Sequence, residues 1–414
     1  MGMTAVCLIA AQPVYARTTL RLTDLAGADP SGEQSSVSAL REACRLLNEA
    51  GGGELVVPAG TYKIDSTVEC SRPPRAQTSN WRIVFESGSR LVATSKLRTS
   101  ALKIFSATLG RHSLEIIAPD IDVSHGVCAS ACQGGEGLTA IEVQDQDRVT
   151  ILAPHLVGGT TYSNANSNNG VTCTRIRSTL IRHGTIDGFP NGGVYCVGDL
   201  EKNRPGDYRL SVEGTRFTHN NVGVECKFSL EECRVVDSVF DHNRYGVGTF
   251  RAGPDRSEPS ARSVTFLRNK ITRSLRAAIW IEGTRRGVVA NNLMEDLGYD
   301  EDDRPSARDV QFVMFNGGGG VELLDNVARQ TEGAGDGPIG VVIGNARFNG
   351  EEHRGGGVRA SRNAFLGLSK GVYEGAGVDA SHFSEMDVAG TESPCALTNR
   401  KTICETRPPA SRGR

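Results

Sequence analysis

Two matching octapeptides hold most of the residues that could do chemistry. Phe217-Thr218-His219-Asn220-Asn221-Val222-Gly223-Val224 returns as Phe240-Asp241-His242-Asn243-Arg244-Tyr245-Gly246-Val247, at an offset of 240 − 217 = 23. His219 and His242 thus occupy one position of a repeated unit. Arg244 and Tyr245 follow His242, Lys227 follows Cys226, and Arg251 lies 251 − 227 = 24 residues beyond Lys227. Elimination beside a carboxylate has three needs: a cation on the carboxylate, a base for the adjacent carbon-bound proton, and an acid for the leaving oxygen. Arg, Lys, His and Tyr serve those needs. Lys227, Arg251 and His242 are expected as catalytic residues, with Arg244, Tyr245 and His219 binding substrate. A neighbouring cation would lower the pKa of a Lys or His in this set and make it a base. Hydrolysis calls instead for paired carboxylates, and Asp237 with Asp241 is the candidate pair.

The elements that must position these residues follow from the same repeat. Gly184-Thr185 and Gly193-Val194-Tyr195-Cys196 match Gly214-Thr215 and Gly223-Val224-Glu225-Cys226. Asp237, Asn269, Asn292, Asn326 and Asn363 each open a unit with an apolar residue two places on. A period near 23, stretched by insertions, predicts a repeat architecture. At about 3.3 Å per residue such a unit makes one coil of three short strands and three turns. Stacked coils bury their inward residues, which sets Phe217 over Phe240, Val224 over Val247 and Gly223 over Gly246. Ser35 and Ser36 precede a helix with Val37, Leu40, Cys44 and Leu47 on one face, ended by Gly51-Gly52-Gly53. Strands Leu55–Val57 and Thr61–Ile64 follow. The helix is placed to cover the open edge of the first coil.

Composition bounds the function. The chain has 414 residues, 49 of them Gly, and a net charge of −2. That balance gives no electrostatic reason to bind nucleic acid or an anionic membrane, and no apolar run is long enough to span one. Residues 1–16 read as a signal peptide, with an apolar run from Ala5 to Ala11 and small residues near Ala16. Ten cysteines remain after Cys7, an even number that fits disulfides in an oxidising compartment. Cys128/Cys132, Cys226/Cys233 and Cys395/Cys404 are the close pairs. A secreted or periplasmic monomer is expected. No cofactor is expected. The acidic stretch Asp300–Arg304 could take Ca²⁺ but lacks the glycine of an EF-hand loop. No phosphate-binding loop or serine-hydrolase elbow is present, and Gly317–Gly320 reads as a loop over a cleft.

The run from Leu22 to Asp29, the helix after it, Gly51-Gly52-Gly53 and Val56-Val57-Pro58-Ala59-Gly60-Thr61-Tyr62 resemble the N-terminal cap of the pectate-lyase-like superfamily. The resemblance implies an all-β fold, a right-handed parallel β-helix with coils of about 23 residues and an N-terminal capping helix. The β-helix is expected over 17–380, with its cap at 17–64. A disulfide-closed extension and tail are expected over 381–414. The superfamily implies an extracellular polysaccharide as partner, and the leading expectation is a polysaccharide lyase. Lys227-Phe228-Ser229 with Phe250-Arg251-Ala252-Gly253 is similar to the Lys-Ser and Leu-Arg-His-Gly elements of its alginate and chondroitin lyase branch. Phe228 interrupts the first, and Ala252 replaces the His of the second. The offset of 24 is one off the period, so Lys227 and Arg251 share a face only across a bulge. Arg182-His183-Gly184 is a shorter match that precedes Lys227. Tyr245-Gly246-Val247 with Pro254-Asp255-Arg256-Ser257 resembles a mannuronan epimerase stretch without its Asp-Pro-His core. Polygalacturonase signatures are absent. A glycoside hydrolase, an epimerase and a non-catalytic glycan-binding β-helix remain the alternatives, and the stacked His219 and His242 could be a packing ladder.

Overall fold

The computed structural model describes residues 18–72, 79–106, 112–126, 138–159, 168–199, 207–227, 229–250, 261–284, 286–299, 310–317, 319–331, 338–348, 351–353 and 355–407. The signal-peptide segment, Arg251, Cys128, Cys132 and the 300–304 loop lie outside these residues. The described chain winds into a β-helix with three long sheets of 14, 11 and 12 strands, here the first, second and third sheets. One coil contributes Tyr208–Glu213 to the first sheet, Arg216–Thr218 to the second and Val222–Lys227 to the third. The next coil contributes Leu230–Val236, Val239–Asp241 and Tyr245–Phe250, each parallel to its counterpart.

The register follows the sequence period. Phe217 pairs with Phe240 and Val224 with Val247. The two phenylalanine rings stack inside the coil, with centroids 4.9 Å apart and planes 7° from parallel. Phe189, Phe266, Phe312, Phe315, Phe365 and Phe383 are likewise fully buried, so aromatic and branched side chains fill the interior from end to end. Gly223 is required here, because a Cβ would meet the Phe240 ring and the carbonyl of Gly246.

The corner between the first and second sheets is two residues long. Its first residue is left-handed on coil after coil, with φ between 48° at Ala153 and 60° at His183. Its second residue points inward. Asn269, Asn292, Asn326 and Asn363 hold that position and form a buried ladder, each side-chain amide donating to the next Asn Oδ1 at 2.9–3.0 Å. Each amide also donates to a backbone carbonyl of its own or the preceding coil. These bonds reach across coils rather than closing the turn locally. Ser238, not Asp237, begins this row, its N–H donating to Asn269 Oδ1. Asp237 is the exposed left-handed residue before it and holds Arg268 in a two-bond ion pair.

The cap matches its reading. The helix spans Val37–Glu49 and buries Val37, Ala39, Leu40, Ala43, Cys44 and Leu47. Ser36 sits at the N-cap, but its hydroxyl accepts from the Asp29 N–H rather than from the helix. Asp29 in turn organises the approach, accepting from the Ser31 N–H and hydroxyl and from the Gln34 N–H. Those bonds, the Ser31 hydroxyl first, lower its pKa from 3.8 to about 2. A depressed carboxylate pKa stabilises the fold above the unfolded value and loses that contribution as pH falls through the folded one. The Asp29 carbonyl-carbon resonance is therefore expected to titrate near pH 2, with the 29–34 amides holding their shifts down to about pH 3. A midpoint near 4 would contradict this account.

Two findings extend the sequence reading. Residues expected to form a separate extension continue the coils: His382–Met386 and Ile403–Thr406 join the first sheet, and Ser393–Ala396 joins the third. Among the described residues, four disulfides are present. Cys226–Cys233 and Cys395–Cys404 are the expected close pairs, and Cys44–Cys70 and Cys173–Cys196 are additional. Among the described residues, no helix is long and apolar enough to cross a membrane.

Candidate functional site

The third sheet differs from the others in its surroundings. The first-to-second corners take two or three residues on most coils. The long connections, such as 123–140, 158–168, 198–207 and 251–260, all enter or leave strands of the third sheet. Long loops on a rigid scaffold are where binding and catalysis concentrate.

Its strands alternate so that Tyr195, Glu225, Gly248 and Trp280 form one outward row across four coils. Val197, Lys227 and Phe250 form the next outward row, with Glu282 in line on the fourth coil. The inward residues between them are buried: Cys196, Cys226, Thr249 and Ile281. Glu225 and Glu282 face outward yet are only 4% and 6% exposed. The Lys227 ammonium lies 2.7 Å from Glu225 Oε1 and 5.0 Å from the centre of the Tyr195 ring. Glu225 Oε2 is buried with no hydrogen-bond partner among the described residues.

The electrostatics follow from burial and these neighbours. Burial pushes the Glu225 carboxyl above its ordinary pKa, against the pull of Lys227. Burial also raises the Tyr195 phenol. Burial alone would lower Lys227, but Glu225, Tyr195 and Glu282 outweigh it and hold the ammonium above its usual pKa. Among the described residues, the nearest charged partner of Lys227 is the Glu225 carboxylate. The Lys227 ammonium is thus held charged beside a Glu225 carboxyl whose burial favours its protonated form.

Beside this polar cluster stands an aromatic one. The Phe250 and Trp280 rings stack at 6.0 Å and 9°. The Tyr245 ring meets both edge-on at 5.6 Å, and the Arg244 guanidinium lies 5.6 Å from the Tyr245 ring centre. Trp280 Nε1 is 3.4 Å from Glu282 Oε2. Gly248 makes this packing possible, since a Cβ there would come within 2.7 Å of the Phe250 ring.

The expected site residues divide between two places. Lys227 and Tyr245 share the outward face of the third sheet, with Arg244 at its margin, and Arg251 follows Phe250 outside the described residues. His219 and His242 lie instead on the corner between the second and third sheets, both left-handed. Their rings stack at 5.6 Å, as the repeat predicts. His219 Nδ1 is 2.9 Å from Asp187 Oδ1, and His242 Nδ1 is 3.2 Å from Asp241 Oδ1. Burial would raise Asp187, but bonds from His219 and Thr218 hold it below the usual carboxylate range. Asp237 and Asp241 are both engaged, with Arg268 and with Thr272 and His242 respectively. The sequence reading missed Tyr195, Glu225, Trp280 and Glu282. Cys196 and Cys226 fall at one position of successive units, so the adjacent Tyr195 and Glu225 could have been placed on one outward row. Among the described residues no group of three His, Cys, Asp or Glu side chains is placed to hold a metal ion.

No family model matches the chain, and no curated protein matches it in sequence. Solved structures do match its shape. The A-module of the Azotobacter vinelandii mannuronan C-5 epimerase AlgE4 aligns over 94% of this chain and 100% of its own, at 15% identity and a TM-score of 0.60. The A-module of AlgE6 from the same organism aligns over 94% and 100%, at 13% identity and a TM-score of 0.51. The Agl-KA catalytic domain aligns over 97% of this chain and 70% of its own, at 13% identity and a TM-score of 0.51. By its sheets, its cap and these neighbours, the chain has a right-handed parallel β-helix fold.

Proposed function

We propose that the chain is a secreted or periplasmic enzyme that cleaves a glycosidic bond of an extended polysaccharide lying along the third sheet. The observation that supports this most is the pair of buried, outward-facing carboxyl groups, Glu225 and Glu282, set around Lys227 and beside the Tyr245–Phe250–Trp280 aromatic cluster. In this reading Glu225 protonates the leaving oxygen, the task of a carboxyl with raised pKa. Lys227 then stabilises the carboxylate left behind. Glu282 serves as the second carboxylate, and Trp280 and Phe250 offer flat apolar surface to a sugar ring. One strand separates the two glutamate-bearing strands, so their backbones stand about 9–10 Å apart. The four disulfides among the described residues support an oxidising compartment.

A second reading, elimination on a uronic-acid chain, is favoured by one observation. The Lys227 ammonium, held charged beside the Tyr195 phenol, could neutralise a sugar carboxylate while Tyr195 transfers a proton. A panel of polyuronates and neutral glycans separates the two. Reducing ends without ultraviolet-absorbing unsaturated ends indicate hydrolysis, and unsaturated ends indicate elimination. Neither product on any glycan would end both readings. The aromatic platform has its own test. Trp280→Ala is expected to raise KM by roughly 5–30-fold, the loss of an anchor contributing about 1–2 kcal/mol, with kcat changed far less. An unchanged KM would remove Trp280 from the substrate path.

A further inference from the structure

The corner between the first and second sheets, which belongs to neither reading above, holds a groove of about 360 Å³. It runs over four successive coils, from Ala153-Pro154-His155 through His183-Gly184-Thr185 and Gly214-Thr215-Arg216 to Asp237 and Val239. Three coil steps give it a length of roughly 14 Å. The groove exists because the corner is locally stripped of side chains. From the groove's last coil onward the left-handed position carries Asp237, Arg268, Asn291, Asp325 and Arg362, and four of these close over the corner in the ion pairs Asp237–Arg268 and Asp325–Arg362. On the groove's first three coils the same position is Ala153, His183 and Gly214. A Cβ on Gly214 would meet His183 Nδ1 at 2.6 Å, so even one added carbon would crowd the floor.

The charges in this groove are unlike those around it. Arg182 and Arg234 bind Glu213, and Arg268 binds Asp237. Arg216 is exposed and its side chain has no hydrogen bond or ion pair among the described residues, and the same holds for the His183 side chain. His155 holds Asp120 at 3.0 Å, which fixes one wall. An uncommitted guanidinium and an uncommitted imidazole on adjacent coils form a receptor for an anionic group, carboxylate or sulfate.

We propose that this corner groove is a second glycan site, binding a segment of an acidic oligosaccharide through Arg216 and His183. It would hold a polymer at the corner while cleavage proceeds on the third sheet, and it stands whether or not that cleavage is hydrolytic.

The test uses the full chain carrying Glu225→Gln, so that substrate is not consumed, and a tetragalacturonate as the probe. Binding is followed by backbone chemical shifts and by calorimetry, against a neutral tetrasaccharide. The tetragalacturonate is expected to shift amides of the 183–185 and 214–216 corners, and the neutral glycan is not. Arg216→Ala is expected to weaken that binding about fivefold to tenfold, and added salt to weaken it further. Gly214→Asn keeps the left-handed backbone but fills the floor, and is expected to weaken it similarly. Trp280→Ala should leave these corner shifts in place, which separates this site from the sheet face. Wild-type affinity at the corner in both Arg216→Ala and Gly214→Asn, or equal corner shifts with the neutral glycan, would overturn the proposal.

Discussion

Turnover is expected to fall by about 10²- to 10⁴-fold when Glu225 is replaced by Gln, the range for losing a general acid. The substitution preserves shape. The Gln carbonyl can still accept from Lys227, which sits 2.7 Å from Glu225 Oε1, but it has no proton to give. The pH profile sharpens the test. A general acid must be protonated, and burial raises the Glu225 pKa. Wild-type kcat should therefore fall as pH rises through that raised value, and the variant should lose this alkaline limb. Thermal unfolding of the variant has to stay near wild type for the comparison to hold, since an unpaired buried ammonium is itself destabilising. Lys227→Met combined with Glu225→Gln removes that complication. Full activity in both variants would dismiss Glu225 as the acid.

Asn292→Ala is expected to cost about 3–6 kcal/mol of stability, far more than an ordinary surface change. Asn292 Oδ1 accepts from both the N–H and the side-chain amide of Asn269 at 3.0 Å, and its own amide donates to Phe266 O and Asn326 Oδ1 at 2.9 Å. Alanine removes partners from buried groups on both neighbouring coils, the Asn269 N–H and amide and Phe266 O on one and Asn326 Oδ1 on the other, each costing about 1–3 kcal/mol. Denaturant unfolding measures the loss. Asn291→Ala is the control: that residue is exposed, and only its left-handed backbone should matter, about 1 kcal/mol. A loss under about 1 kcal/mol at Asn292 would mean that the ladder is dispensable.

What could be read from the sequence was whatever repeats at a constant offset. Phe217 over Phe240 and His219 beside His242 follow from the 23-residue match, because inward and corner residues face the same neighbours on each coil. The pair Cys173–Cys196 is separated by that same 23 and could have been found the same way. The asparagines were legible as recurring residues, but turn chemistry explains Asn locally, whereas here it bonds the next coil. The face proposed to bind substrate was harder. Glu225 and Glu282 lie on strands separated by a third, with a long insertion between them in sequence, so no local motif joins them. Their burial while pointing outward cannot be read from alternation, which marks outward residues as solvated. Lys227 was found by its type, but its ion pair with Glu225, two residues away on the same strand face, was not.

The asparagine ladder also bears on how such a chain can change its size. Each asparagine recognises only the coil beside it, through the same donors and the same acceptor. No contact in the ladder counts the coils. A duplication or deletion of one whole unit would leave every rung with an equivalent neighbour, and the face presented by the third sheet would lengthen or shorten by about 4.8 Å. The molecule is in this sense a ruler with interchangeable graduations. Its reach along a polymer can be altered by genetic unit steps, without redesigning any single bond in its interior.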